Sequence, residues 1–172
     1  MLRKIGIIAV LSLLVTALVA VPALAQSGHF VTGGGNAPTV TGPDANGDLD
    51  ISGKVAGLGG TTFEVIATAD AQATYACRTG GGEFPNAANK QDVGGVVTAT
   101  TGPQPTPRNG QATFDLTLNP PTSTLTCPPG QTRVLVSVSY TNLTLTLEED
   151  GVTSDTETID GEFSEVFFPD FP

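Results

Sequence analysis

The clearest pattern in this chain is an alternation of apolar and polar residues over residues 62–77, TFEVIATADAQATYAC, with Ile66 as the exception. Because successive side chains of a β-strand point to opposite faces, a period of two predicts a half-buried strand. The small alanines suggest a close contact between two sheets, and we expect so long a strand to bend or break near them. One face carries Phe63, Val65, Ala67, Ala69, Ala71, Ala73, Tyr75 and Cys77.

Three further segments show the same alternation. They are LDISGKV (49–55), QATFDLTL (111–118) and RVLVSVSYTNLTLTL (133–147). In the last of them the apolar positions run to Tyr140 and resume at Leu143, one residue out of phase. Such a phase shift predicts a β-bulge near Thr141 and Asn142.

Turns rich in glycine and proline separate these strands, and nothing after residue 25 shows the 3.6-residue period of an amphipathic helix. EEDGV (148–152) and PRNG (107–110) both predict hairpin turns, because Asp-Gly and Asn-Gly tolerate positive φ. Several short strands with such turns are typical of an antiparallel β-sandwich. We therefore expect an all-β domain, immunoglobulin-like in architecture.

Residues 1–25 have the pattern of a secretory signal peptide. An arginine–lysine pair precedes an apolar run that ends in the A-x-A pattern of Ala23 and Ala25. The alternative is an uncleaved membrane anchor. Cleavage leaves residues 26–172 as one secreted β-sandwich domain without a further membrane span. We expect it to be extracellular or associated with the cell envelope.

The acidic composition narrows the choice of partner. The full chain has 17 acidic and 7 basic residues and a net charge of −10 at pH 7. Removal of the signal peptide takes away two basic residues and no acidic ones. Because so acidic a surface repels phosphates and anionic lipids, we expect an extracellular or envelope partner and no nucleic acid.

Cys77 and Cys127 are the only two cysteines, and both lie in the exported part. An oxidising compartment and an even count predict one disulfide. We expect this bridge to join the end of a strand to a loop. Closing so long a loop stabilises the fold by roughly 4 kcal/mol in the chain-entropy model.

The segment after Cys77, RTGGGEFPNAANK, predicts a long irregular loop. It lacks the spacing of a phosphate-binding loop and has no pair of metal ligands. Loops of this length are often functional, so we interpret it as a contact surface, and a purely structural loop is the open alternative. The candidate contact residues are Arg78, Glu83, Phe84, Asn86, Asn89 and Lys90.

The segment PDANGDLD, residues 43–50, places oxygen-bearing side chains at alternate positions. They belong to Asp44, Asn46, Asp48 and Asp50, and they resemble the start of a calcium-binding loop. The glycine and the twelfth-position glutamate of such a loop are missing, and a turn before the next strand accounts for the same residues. We therefore expect no cofactor, with calcium as the alternative.

Catalytic groups are scarce in this sequence. His29 is the only histidine and lies close to the predicted mature N-terminus, where chains often fray. The aspartic-protease motif is absent, but 17 acidic residues leave a two-carboxylate mechanism open. We therefore expect no enzymatic activity, and keep a carboxylate-based hydrolase as an alternative.

Half of the phenylalanines lie near the C-terminus, at Phe163, Phe167, Phe168 and Phe171. The first hypothesis is a final strand with Phe163 and Phe167 packed on the core and Pro169 ending the pairing. The second is self-association, in which this strand extends the sheet of a neighbouring copy.

The stretch from Lys54 to Asn142 resembles a group of small secreted bacterial proteins known as hypothetical exported proteins. The residues that carry the resemblance are Gly57, Gly59, Ala69, Tyr75-Ala76-Cys77, Asn86, Asn89, Lys90 and Cys127-Pro128-Pro129-Gly130. It implies secretion and a β-domain. We therefore expect a secreted, non-catalytic β-domain with a binding or structural role at or outside the cell surface. The first alternative is an inhibitor or ligand-binding module that presents the loop after Cys77.

Overall fold

The computed structural model describes residues 27–85 and 89–172, and the predicted signal peptide, residues 1–25, lies outside them. The described part contains a 3-10 turn at Gly34–Asn36 and ten strands. The strands are β1 (His29–Phe30), β2 (Thr39–Thr41), β3 (Leu49–Ala56), β4 (Thr62–Thr79), β5 (Lys90–Thr100), β6 (Gln104–Pro105), β7 (Gln111–Leu118), β8 (Gln131–Glu149), β9 (Val152–Ile159) and β10 (Phe163–Val166).

The strands form two antiparallel sheets. In the smaller sheet β3 pairs with β7 on one side and with β1 and β2 on the other. In the larger sheet β4 and β8 lie side by side; β5 and β6 flank β4, and β9 and β10 flank β8. The predicted all-β, sandwich-like fold with antiparallel sheets is confirmed. Its immunoglobulin-like character stays a prediction.

The inner faces of the two sheets build the core from the residues that the alternation predicts. On β4, every second residue from Phe63 to Ala73 is buried. Of the predicted bend or break near the alanines, a break does not occur, because β4 is continuous over 18 residues. The irregularity appears in its pairing with β8, where the register shifts between Thr68 and Asp70.

The predicted bulge in β8 is confirmed at this register shift. Thr68 lies opposite Thr144 and Asp70 lies opposite Thr141, so β8 carries one more residue than β4 between these pairs. Asn142 has a φ of 54°, in the left-handed region that asparagine tolerates better than most residues. Its side-chain amide donates a hydrogen bond of 2.7 Å to Asp70, which fixes the bulge to the neighbouring strand.

Of the two predicted hairpin turns, one is confirmed and one is wrong. Asp150 and Gly151, with φ of 51° and 77°, turn β8 into β9. The Pro107–Gly110 segment does form a turn, closed by a 2.8 Å hydrogen bond from the Gly110 amide to the Pro107 carbonyl. The strands around it do not pair: β6 belongs to the larger sheet and β7 to the smaller. β6 has only two residues, and both are paired with Thr62 and Phe63 of β4.

Side-chain carboxylates tie the connections together at the end of β8. Glu149 is fully buried and accepts hydrogen bonds from the amides of Gly28 (3.0 Å), Gly59 (2.6 Å) and Gly60 (2.9 Å). Asp150 accepts hydrogen bonds from the side chain and backbone of Thr61 and from Thr62, which lower its pKa to about 2. The N-terminal segment and the β3–β4 connection are therefore fixed to the same end of β8.

Candidate functional site

The loop after Cys77 lies at the opposite end of the larger sheet, next to the predicted disulfide. That disulfide is confirmed: Cys77 near the end of β4 is bonded to Cys127 in the segment before β8. The bridge joins a strand end to a loop, as expected. It fixes the base of the β4–β5 connection to the entry of β8.

The first half of this loop is held by its own hydrogen bonds. The Thr79 amide donates to the Glu83 carbonyl, and the Gly82 amide donates to the Thr79 carbonyl, both at 2.9 Å. The Nε of Arg78 donates to the carbonyl of Gly82 at 2.9 Å. Gly82 has a φ of +90°, a conformation that residues with a side chain rarely adopt. The loop therefore presents Arg78, Glu83 and Phe84 in a defined arrangement.

The C-terminal segment folds back to the same place. β10 pairs antiparallel with β8, from Phe163 opposite Tyr140 to Val166 opposite Ser137. Phe163 and Phe167 are partly buried and pack against the core. The first hypothesis for this segment, a final strand within its own domain, is what the structure shows.

Arg78 and three phenylalanine rings meet where the two segments join. The ring of Phe84 makes edge contacts with the rings of Phe168 and Phe171, at centroid distances of 5.4 and 5.1 Å. The guanidinium carbon of Arg78 lies 4.7 Å from the centroid of Phe168 and 5.7 Å from that of Phe84, within the range of a cation–π interaction. We call Arg78, Phe84, Phe168 and Phe171 the arginine–aromatic cluster.

A groove of about 510 Å³ opens over this cluster. Arg78, Phe84 and Phe168 line it together with the acidic side chains of Glu83 and Asp170. The three cluster rings are half-buried, so part of each faces solvent. Among residues 27–85 and 89–172, the single ion pair joins Lys90 to Asp92 at 4.0 Å. The guanidinium of Arg78 therefore lies against aromatic rings without a carboxylate counterion in that part of the chain.

The predicted contact residues divide between this groove and a smaller cavity. Arg78, Glu83 and Phe84 line the groove, whereas Asn89 and Lys90 line a narrow cavity behind Phe84. Asn86 lies outside the described residues. The five predicted contact residues that the structure describes thus belong to one end of the molecule.

Sequence reasoning missed that Phe168 and Phe171 complete this surface. The two segments are far apart along the chain, and only the strand order brings them together. β10 runs antiparallel to β8 and so heads towards the start of β8, where Gln131 lies opposite Thr79 at the end of β4. The unusual density of C-terminal phenylalanines is the one sequence signal that points to a contact there.

The segment considered for calcium forms the turn that leads into β3. The carboxylate of Asp44 accepts hydrogen bonds from the amides of Asn46 (2.8 Å) and Asp48 (2.9 Å). These backbone hydrogen bonds, that of Asp48 foremost, lower the pKa of Asp44. The carbonyl of Gly47 accepts a hydrogen bond of 2.6 Å from the buried hydroxyl of Tyr140. The turn is therefore tied to the core by its backbone.

The other two carboxylates of this segment have different donors. Asp48 accepts a hydrogen bond from the side-chain amide of Asn119 at 3.0 Å, and Asp50 accepts one from the Thr117 hydroxyl at 2.6 Å. In the described part of the chain, no three or more His, Cys, Asp and Glu residues are grouped so that they could hold a metal ion. The hydrogen bonds of Asp44 close the turn, and those of Asp48 and Asp50 tie the segment to Asn119 and Thr117 at the end of β7.

Two features bear on catalysis. A groove of about 360 Å³ on the outer face of the larger sheet has Asp92, Glu162 and Glu165 among its lining residues. The Nδ1 of His29 lies 3.0 Å from the backbone carbonyl oxygen of Ser27, and the Ser27 hydroxyl donates to the carbonyl of Gly57. This serine and histidine are therefore each engaged with backbone groups.

The described residues include no helix with both the length and the apolar character needed to cross a membrane. In comparisons with known proteins, no family model matches the chain, and neither the curated proteins nor the solved structures contain a match.

Proposed function

We propose that this protein is a secreted, non-catalytic β-domain that binds a protein or peptide partner at or outside the cell surface. The binding surface is the groove over the arginine–aromatic cluster. The domain would hold this surface rigid, because the disulfide and β10 attach its two halves to the larger sheet.

The proposal rests on the residue types in the arginine–aromatic cluster and on the partial exposure of its rings. Arginine and aromatic side chains are the types most enriched at the energetic centres of protein interfaces. Here Arg78 lies on Phe168, and the rings of Phe84 and Phe171 are only half-buried. Such rings offer a partner apolar area at little entropic cost, because their contacts with one another already restrict them. Glu83 and Asp170 at the margin add charged contacts that can select among partners.

The inhibitor alternative receives less support from this arrangement. An inhibitory loop of the kind considered would project alone into the site of its target. The loop after Cys77 instead packs its Phe84 against the C-terminal segment. The contact surface is therefore composite, and a partner would meet both segments together.

One observation supports the hydrolase alternative: Asp92, Glu162 and Glu165 lie around the same groove. We rank it below binding because this groove lies on the outer face of a sheet, where water competes with the substrate for the carboxylates. Hydrolysis of glycoside or peptide substrates that disappears in a Glu162→Gln or Glu165→Gln variant would reverse this ranking.

Selection from a peptide library displayed on phage tests the proposed surface. The secreted protein is immobilised, and enriched peptides are titrated against the wild type and an Arg78→Ala variant. We expect the variant to bind at least about tenfold more weakly, because it loses an interface arginine. Phe168→Ala should weaken the same peptides.

Arg108→Ala is the matched control, because Arg108 is exposed in the Pro107–Gly110 turn, outside the groove over the cluster. It should leave the affinity unchanged. Peptides that bind the wild type and the Arg78→Ala and Phe168→Ala variants equally well would place the binding surface elsewhere and contradict the proposal.

A further inference from the structure

The groove over the arginine–aromatic cluster is the first of three adjoining grooves. A second groove, of about 290 Å³, has Phe168 and Pro169 in common with it. The third is the groove of about 360 Å³ on the outer face of the larger sheet, which shares Thr74, Asp92 and Val166 with the second. Because neighbouring grooves have walls in common, one ligand of extended shape can contact all three.

The middle groove extends the apolar character of the cluster towards β10. Val136, Val166, Phe168 and Phe171 are among its lining residues. Val166 is 55% exposed. A ligand that places an apolar side chain on the cluster therefore finds more apolar surface as it continues along the C-terminal segment.

The charged residues around the three grooves are predominantly acidic. Among their lining residues, the acidic ones are Glu83, Asp92, Glu162, Glu165 and Asp170, and the basic ones are Arg78 and Lys90. Lys90 is already paired with Asp92. Glu83 in the first groove and Glu162 in the third are exposed, and neither forms an ion pair with another described residue. The three grooves therefore carry a net negative charge.

Arg78 can bind a partner without requiring an acidic one. Its Nε donates to the Gly82 carbonyl, and its other N–H groups have no acceptor in the part of the chain that the structure describes. Backbone carbonyl oxygens of a peptide can accept hydrogen bonds from these groups. A carboxylate is a poorer occupant, because Glu83 and Asp170 line the same groove and would repel it.

We propose that the partner is an extended, positively charged polypeptide segment with at least one apolar side chain, an inference that rests on the proposed function. The apolar side chain packs on the arginine–aromatic cluster, and lysine or arginine side chains lie near Glu83 and Glu162. Charge complementarity selects this occupant, because the chain, with a net charge of −10, repels acidic peptides and anionic polymers. Exposed ion pairs add little affinity one by one, so their main effect is to speed association.

The peptides that the phage selection enriches test this partner class. We expect those that depend on Arg78 to contain several lysine or arginine residues and at least one aromatic or aliphatic residue. Surface plasmon resonance measures their association rates at low and high salt. The double variant Glu83→Gln with Glu162→Gln should lower the association rate about three- to tenfold at low salt and much less at high salt, because salt screens exposed charges.

The matched control is Asp115→Asn with Glu157→Gln, which removes two charges outside the three grooves and should leave the association rate nearly unchanged. Thermal melts check that each variant is folded. Arg78-dependent peptides that are neutral or acidic would overturn this inference and leave the proposed function standing. So would peptides that associate with the Glu83→Gln, Glu162→Gln variant as fast as with the wild type, or that the control slows equally. If no peptide depended on Arg78, both proposals would fail.

Discussion

Glu149 is the residue at which two other segments of the chain meet the end of β8. A carboxylate without partners would be costly to bury, but amides from the N-terminal segment and from the β3–β4 connection donate to this one. Gly28 permits the approach, because a Cβ there would lie 2.6 Å from the Glu149 carboxylate. A single buried charge therefore sets the positions of backbone segments that have little apolar surface of their own.

We expect Glu149→Gln to lower the free energy of unfolding by about 3 kcal/mol. The glutamine carbonyl can still accept hydrogen bonds, but its amide group would place a donor against a backbone donor, and hydrogen bonds to the charged group would be lost. Urea denaturation measures the change. Glu148→Gln is the control, because Glu148 is only partly buried, and it should alter stability by less than about 0.5 kcal/mol. Equal effects of the two substitutions would show that the buried hydrogen bonds contribute little.

At the scale of elements, β10 is a short strand that contributes to the core near the C-terminus. Its four residues pair with β8, and Phe163 and Phe167 pack beneath it. Truncation after Gly161 should therefore lower the denaturation midpoint strongly or cause aggregation, since burial of one phenylalanine stabilises by roughly 1.5–3 kcal/mol. Thermal and urea melts report the loss.

A second truncation separates the strand from the cluster. A chain that ends at Phe167 keeps β10 but lacks Phe168 and Phe171. It should retain most of the stability and lose the proposed binding surface. If the chain that ends at Gly161 melted like the full-length protein and stayed monomeric, β10 would contribute little to its own domain.

The disulfide acts on the whole molecule, because it joins residues 50 positions apart in the chain. Replacing Cys77 and Cys127 together by serine should reduce the free energy of unfolding by roughly 4 kcal/mol in the chain-entropy model. Denaturation of the oxidised wild type and the double variant measures the difference. Free thiols in the secreted wild type, detected by mass spectrometry, would contradict the bridge itself.

Local patterns predicted the parts of this fold that depend on local physics. The alternation in β4, the bulge near Asn142 and the Asp-Gly turn each follow from the backbone preferences of a few neighbouring residues. The prediction of a hairpin at the Pro107–Gly110 turn is wrong, because a turn reverses the chain but does not decide which strands then pair. The arginine–aromatic cluster depends on the order of β10, β8 and β4, which no local pattern of residues encodes.

The positions of Gly28 and of β10 have a mechanical consequence. Gly28 is held at Glu149, and Val166 lies opposite Ser137, twelve residues away along β8 and hence about 40 Å distant. A force that pulls Gly28 and Val166 apart acts parallel to the strands and across the hydrogen bonds of β10 and β8, which are perpendicular to it. All four residue pairs of that ladder then bear the load at once and do not open one after another. If the N-terminal side is tethered, the arginine–aromatic cluster lies at the far end of the larger sheet, and its Phe168 and Phe171 follow the strand that carries the tension.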